Sequence, residues 1–168
     1  YAFAQKYDPE NASDLAQSLY LAEEERWRIQ RESAGAISTG ALSSILRSCG
    51  VDESAEHFRS AFQQYLDFWQ PHTFADPDAL PLLRALRERG LKIGVLSNTM
   101  WPREFHEEIF ERDGLLEFID AGVYTSELPV GKPHEEAFVA AMAALEVHDA
   151  SSVVFVGDRL WDDVHGAQ

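Results

Sequence analysis

The chain has 168 residues, 45% hydrophobic and 26% charged, which suits one core with a small accessory unit. Its 14 Lys and Arg against 29 Asp and Glu leave a net charge of −15, a surface that repels phosphate backbones and argues against nucleic-acid binding. No apolar run approaches the ~18 residues of a membrane span, and the single cysteine, Cys49, allows no internal disulfide and suits a reducing, cytoplasmic setting.

Residues 1–72 read as helices. Ala12 to Arg31 carries Leu15, Leu19, Ala22 and Trp27 near helical spacing, with Glu23, Glu24, Glu25, Arg26 and Arg28 on a polar face. The acidic run points in different directions around a helix and reads as a solvated face rather than a metal site. Thr39 to Cys49 is a second helix, with Leu42, Ile45 and Leu46 on one face and Gly50 as its stop. Cys49 lies inside that pattern and reads as a buried small residue. Ser54 to Trp69 is a third, and Phe58, Phe62, Tyr65, Leu66 and Trp69 form a packed stripe along it. Gln70 to Phe74 is a linker, with His72 in it.

After the linker the pattern changes to alternation, over residues 73–168. Asp76-Pro77 marks a helix start, with Leu80, Leu83 and Leu86 as its apolar face and Gly90 at its end. Leu91–Leu96 is a strand. A helix through Glu104–Phe110, a strand at Ala121–Tyr124 and a helix carrying Phe138, Met142 and Leu145 follow. Val153–Val156 is a further strand, and another helix begins after it. This alternation predicts an α/β fold: a Rossmann-like parallel sheet with helices on both faces, joined to an all-helical unit. Ligands of such sheets bind beyond the carboxyl ends of the strands. Ser97 and Asp158 both fall at such ends.

Three loops carry candidate chemistry. The first is Ser97-Asn98-Thr99, directly after a strand. The second is Gly131-Lys132-Pro133, opening a helix. The third is Gly157-Asp158, with Asp162 and Asp163 four and five residues beyond Asp158. Carboxylates gathered at a sheet edge suit Mg²⁺, which takes oxygen ligands. The plainer alternative is that Asp158 closes a turn, Asp162 caps a helix, Ser97 is an N-cap and Lys132 is a solvated lysine.

Taken together and in this order, the three loops resemble motifs II, III and IV of the haloacid dehalogenase-like (HAD) hydrolase superfamily, over about 75–168. The helical residues 1–72 fall where that family inserts a cap, which closes over the site and selects the substrate. The resemblance implies an Mg²⁺-dependent hydrolase, a phosphatase acting on a small phosphorylated substrate through an aspartyl-phosphate intermediate. Ser97, helped by the Asn98 amide, and Lys132 would bind the phosphoryl oxygens. Asp158 would ligate the metal. Asp163 matches the family's second acidic position best and Asp162 is the substitute, one of the two acting through water or holding Lys132. The aromatic side chains of Trp101 and Trp161 are placed either at the site mouth or in packing. His106, His134 and His165 are expected at the surface.

No strand followed by Asp-x-Asp, the family's nucleophile motif, precedes Ser97, and Asp8, before Pro9, is not nominated. The family core also places its nucleophile strand between Leu91–Leu96 and Val153–Val156. Both features lead to the expectation that the sequence is part of a longer chain. Three alternatives stay open: a haloacid dehalogenase, a phosphomutase, or a non-catalytic member that binds a phosphorylated ligand or a protein.

Overall fold

The computed structural model describes residues 1–168. It opens with four helices: α1 (Ala2–Tyr7), α2 (Ala12–Glu32), α3 (Leu42–Ser48) and α4 (Phe58–Trp69). Their apolar stripes meet in one core. Phe3, Leu42, Ile45, Leu46, Val51 and Ala61 are buried together with Met100, and Leu15, Leu19, Trp27, Phe62 and Tyr65 pack around them. The short α1 is stable only through that packing. Phe3 stacks on Tyr7 at 5.4 Å and meets Phe58 edge-on at 6.2 Å. The outer face of α2 is solvated, as its charges imply, and Arg28 pairs with Glu25 and Glu32 one turn to either side.

The α/β part follows with α5 (Ala79–Glu88), β1 (Gly94–Ser97), α6 (Arg103–Arg112), β2 (Ala121–Tyr124) and α7 (Glu135–Ala144). β1 and β2 pair in parallel, Gly94 opposite Ala121 and Ser97 opposite Tyr124, with α6 as the crossover. A second core of Leu96, Val130 and Ala137, with Val123, Phe138 and Phe155 against it, fixes α7 on the sheet. At Gly94 a Cβ would stand 2.8 Å from a Leu145 methyl, so glycine is what lets the end of α7 approach the strand.

Besides the later starts of α3 at Leu42 and α4 at Phe58, three differences from the sequence reading concern the α/β part. β1 begins at Gly94 rather than Leu91, and Leu91 and Lys92 lie exposed before it. α5 begins at Ala79. Pro77 lies in the turn ahead of it, where the Asp76 carboxylate accepts the Asp78 N–H at 2.8 Å. The third change is larger. Val153–Val156 is not a strand. Val153 is extended, at φ −109° and ψ 136°, but its segment has no ladder, and Val154 and Val156 are each 86% exposed. The cause is the absence of a neighbour, since the sheet is β1–β2 alone. An extended segment with no partner backbone has nothing to pair with. Beyond Gly157 the chain turns through a π-helical segment, Leu160–His165.

Candidate active site

The carboxyl end of β1 holds Ser97, half-buried, then Asn98 and Thr99. Asn98 brackets the backbone of the second loop. Its Oδ1 accepts the Lys132 N–H at 2.8 Å, and its Nδ2 donates to the Lys132 carbonyl at 2.9 Å. The Asn98 side-chain amide is thus engaged on both sides and fixes the Lys132 peptide. The Lys132–Pro133 peptide is cis.

Lys132 is 8% exposed, and it is the only lysine or arginine among the buried residues. Its Nζ donates to Asp163 Oδ1 at 2.6 Å and lies 5.1 Å from the Phe155 ring centroid. A buried ammonium is tolerated only with such a partner. The other Asp163 oxygen, Oδ2, accepts the Arg159 N–H at 3.0 Å. Burial by itself pushes the Asp163 carboxyl up. The Lys132 ammonium and the Arg159 amide override it and hold the group below its ordinary 3.8. Gly157 makes room for this arrangement, since a Cβ there would stand 2.4 Å from the Asp163 carboxylate.

The three acids of the last loop therefore differ in surroundings. Asp163 holds Lys132. Asp162 is buried and pairs with Arg159 Nε at 2.8 Å. Asp158 is exposed and makes no ion pair. No three His, Cys, Asp or Glu side chains come together in a ready metal cluster. The donor chemistry still fits a hard cation, because Mg²⁺ commonly takes one or two carboxylates and completes its shell with water and substrate oxygens. Asp158 is the side chain free to serve it.

The aromatic side chains divide as well. Trp101 packs on Tyr65 at 5.4 Å, Trp69 at 5.9 Å and Phe105 at 4.4 Å, which ties the first helices to α6. Trp161 is exposed and stacks on His165 at 4.3 Å. One histidine departs from expectation. His106 is partly buried on α6, stacked on Tyr124 at 5.0 Å, and its Nε2 lies 2.9 Å from the Thr99 hydroxyl. Burial lowers its pKa.

Sequence reasoning also missed a brace beneath Thr99. Thr125, fully buried, accepts the Thr99 N–H at 2.9 Å and donates back to the Thr99 carbonyl at 3.3 Å. The signal lies in the parallel register. Ser97 pairs with Tyr124, so the residue after β2 falls beside the loop after β1.

The three loops thus hold a strand-tip serine, a buried lysine clamped by an aspartate, and an exposed carboxylate with no ion pair, on an α/β frame. The family model of haloacid dehalogenase-like hydrolases matches residues 2–168, and the chain belongs to that family. It is similar to glyceraldehyde 3-phosphate phosphatase of Methanopyrus kandleri, 31% identical over 150 residues, 88% of this chain. The chain spans 63% of that relative's length. Among solved structures it resembles a 2-haloacid dehalogenase from Pseudomonas syringae, 25% identical with a TM-score of 0.65, covering 99% of this chain and 72% of that one. A HAD phosphatase from Thermococcus onnurineus shares the fold at 20% identity and a TM-score of 0.62, over 98% of this chain and 71% of the other.

Proposed function

We propose that these residues supply the cap and much of the catalytic core of a phosphatase acting on a small phosphate monoester. The observation that carries this reading is the buried Lys132 ammonium, positioned by Asp163 at its Nζ and, at its backbone, by Asn98, the residue that follows the strand-tip Ser97. Phosphoryl transfer is mainly positioning and charge stabilisation. Ser97 Oγ–H and the Asn98 N–H donate to phosphoryl oxygens. Lys132 offsets the repulsion between an anionic ester and the carboxylate that attacks it. That attacking carboxylate is the family's aspartate. Its oxygen bonds to phosphorus as the ester oxygen leaves, and water then cleaves the acyl phosphate to release inorganic phosphate. Asp163 keeps Lys132 charged and aimed. Asp158 would hold Mg²⁺, which would supply further positive charge to the same oxygens. Residues 1–72 form the cap in this reading, with the core from 73 onward, and the protein works in the cytoplasm.

The similarity to the P. syringae dehalogenase supports a second reading, displacement of halide from a haloacid. Asp158, free of any ion pair beside a lysine-clamping Asp163, favours the metal-assisted phosphatase. The test is hydrolysis of p-nitrophenyl phosphate and of 2-chloropropionate by the complete gene product, with Mg²⁺ and with a chelator. Chelator-sensitive release of phosphate supports the phosphatase. Metal-independent release of chloride, with no phosphate release, overturns it. Binding of phosphate with neither turnover would point to the non-catalytic member.

A further inference from the structure

The backbone of Gly131-Lys132 is held from two directions, and only one of them is the α/β core. Asn98 supplies the core side. From the helical side, Gln30 near the end of α2 donates its Nε2–H to the Lys132 carbonyl at 3.2 Å. Just past the end of α2, the Gly35 carbonyl accepts the Gly131 N–H at 2.7 Å. Gln30 is itself buried, 4% exposed, although Arg26, Arg28 and Arg31 lie close to it in sequence. Its Oε1 is buried without a hydrogen-bond partner, the only buried side-chain polar atom of the chain in that state. Retaining an unpaired buried acceptor is costly, so the side chain is not there for stability alone.

The contact is also sterically specified. Gly35 has φ +79°, and a Cβ there would stand 2.1 Å from the Gly131 carbonyl oxygen. A Cβ on Gly131 would stand 2.8 Å from Gln30 Nε2 and 3.2 Å from Asn98 Oδ1. Two glycines and one buried glutamine are therefore what allow the end of α2 to seat on the loop that presents Lys132.

We infer that Gln30 is a positioning residue for Lys132: through its bond to the Lys132 carbonyl, and with Gly35, it makes the placement of the lysine depend on the helical unit being seated. The inference rests on the phosphatase reading for what Lys132 does, but the contact is testable without it. Docked, the α2 end completes the cradle around residues 131 and 132. Separated, it leaves Lys132 to Asn98 and Asp163 alone, and frees Gln30 Oε1 to meet water.

The test uses Gln30→Leu in the complete gene product, which keeps the side chain's bulk and removes both the donor and the unpaired acceptor. A residue kept for stability alone would leave kcat unchanged. Gln30 as a positioning residue gives a kcat for p-nitrophenyl phosphate about tenfold lower, KM within about twofold, and inhibition by orthovanadate, which mimics the five-coordinate transition state, weakened about tenfold while inhibition by phosphate changes less than twofold. The thermal midpoint stays at or above that of the parent. Equal kcat and equal vanadate inhibition in parent and variant would overturn the inference and leave the phosphatase reading intact. A parent with no phosphatase activity removes that reading instead. The contact is then judged by amide hydrogen exchange, where Gln30→Leu accelerates exchange at Gly131 and Lys132, and unchanged exchange at both overturns it. Gly35→Ala, which drives the same two segments apart, reproduces the effect where it folds.

Discussion

Breaking the Lys132–Asp163 pair gives the sharpest test of how the site is held together. In Asp163→Asn the Lys132 ammonium stays buried, with its side chain 10% exposed, and loses its only counter-charge at 2.6 Å. Removing one member of a buried pair typically costs about 3–5 kcal/mol, because the surviving charge is left uncompensated. The new amide oxygen can still accept the Arg159 N–H, so the lower end of that range, about 3 kcal/mol, is expected. For a chain of this length, with a urea m-value of about 2 kcal/mol/M, that moves the unfolding midpoint down by about 1.5 M. Lys132→Met strands the opposite charge and loses a similar amount. The double variant Lys132→Met/Asp163→Asn leaves no unpaired charge and recovers about 2 kcal/mol of the summed losses. Urea titrations of the four proteins at pH 7 provide the cycle. Single losses below about 1 kcal/mol that simply add would refute the reasoning, because they would mean water already reaches the ammonium. The pair also sets an acid limit. Asp163 titrates below 3.8 in the fold, so its contribution is complete above that ordinary value and is lost as the pH falls through the lower, folded value. Asp163→Asn removes this part of the acid slope.

Other consequences are independent of that pair. Thr125→Val removes the hydroxyl that both accepts the Thr99 N–H and donates to its carbonyl, so a buried donor is orphaned and stability falls by about 1–3 kcal/mol, read by chemical denaturation. His106 has its pKa lowered by burial, so below its ordinary 6.5 the unfolded chain takes up a proton that the fold resists. Stability therefore declines as the pH falls from about 6.5 to the lowered value, and His106→Gln flattens that decline in midpoints measured from pH 7 to pH 5. Asp158→Asn changes an exposed, unpaired side chain. It leaves the thermal midpoint within about 1 °C while raising the Mg²⁺ concentration needed for half-maximal phosphatase activity by tenfold or more, and equal metal dependence in parent and variant would exclude Asp158 as a ligand.

How much of this was legible in the sequence depended on how local the cause was. The helices of residues 1–72 follow from apolar spacing, and β2 forms at Ala121–Tyr124 as its run predicts. The strand at Val153–Val156 does not form despite a run with strong β-propensity, because propensity describes a fit to a pleated surface and no neighbouring strand provides one. The motif loops were legible as types of residue, but not as contacts. Nothing in Ser97-Asn98-Thr99 says that the asparagine amide will bracket the Lys132 peptide 34 positions away. Gln30 was invisible for a plainer reason. In a helix flanked by Glu and Arg a glutamine reads as solvated, and only the approach of residues 131 and 132 buries it.

The charge pattern of the last loop shows why adjacent acids need not share a task. The chain carries 29 acidic residues against 14 basic ones, so an extra carboxylate near an anion site is a liability unless something neutralises it. Asp162 and Asp163 are neighbours in a helical turn and cannot face one partner equally. Each is buried on a cation of its own, Asp162 on Arg159 and Asp163 on Lys132. That leaves Asp158, nearest the end of the extended segment, with no internal partner to compete with a metal. On the proposed reading, the pairing of Asp163 with Lys132 and of Asp162 with Arg159 favours Asp158 as the acid left to a metal. A carboxylate whose two oxygens are already engaged by an ammonium and a backbone N–H would have to give up one of them to bind Mg²⁺, and on the proposed reading the freed Lys132 would then lose the restraint that aims it at the phosphoryl group.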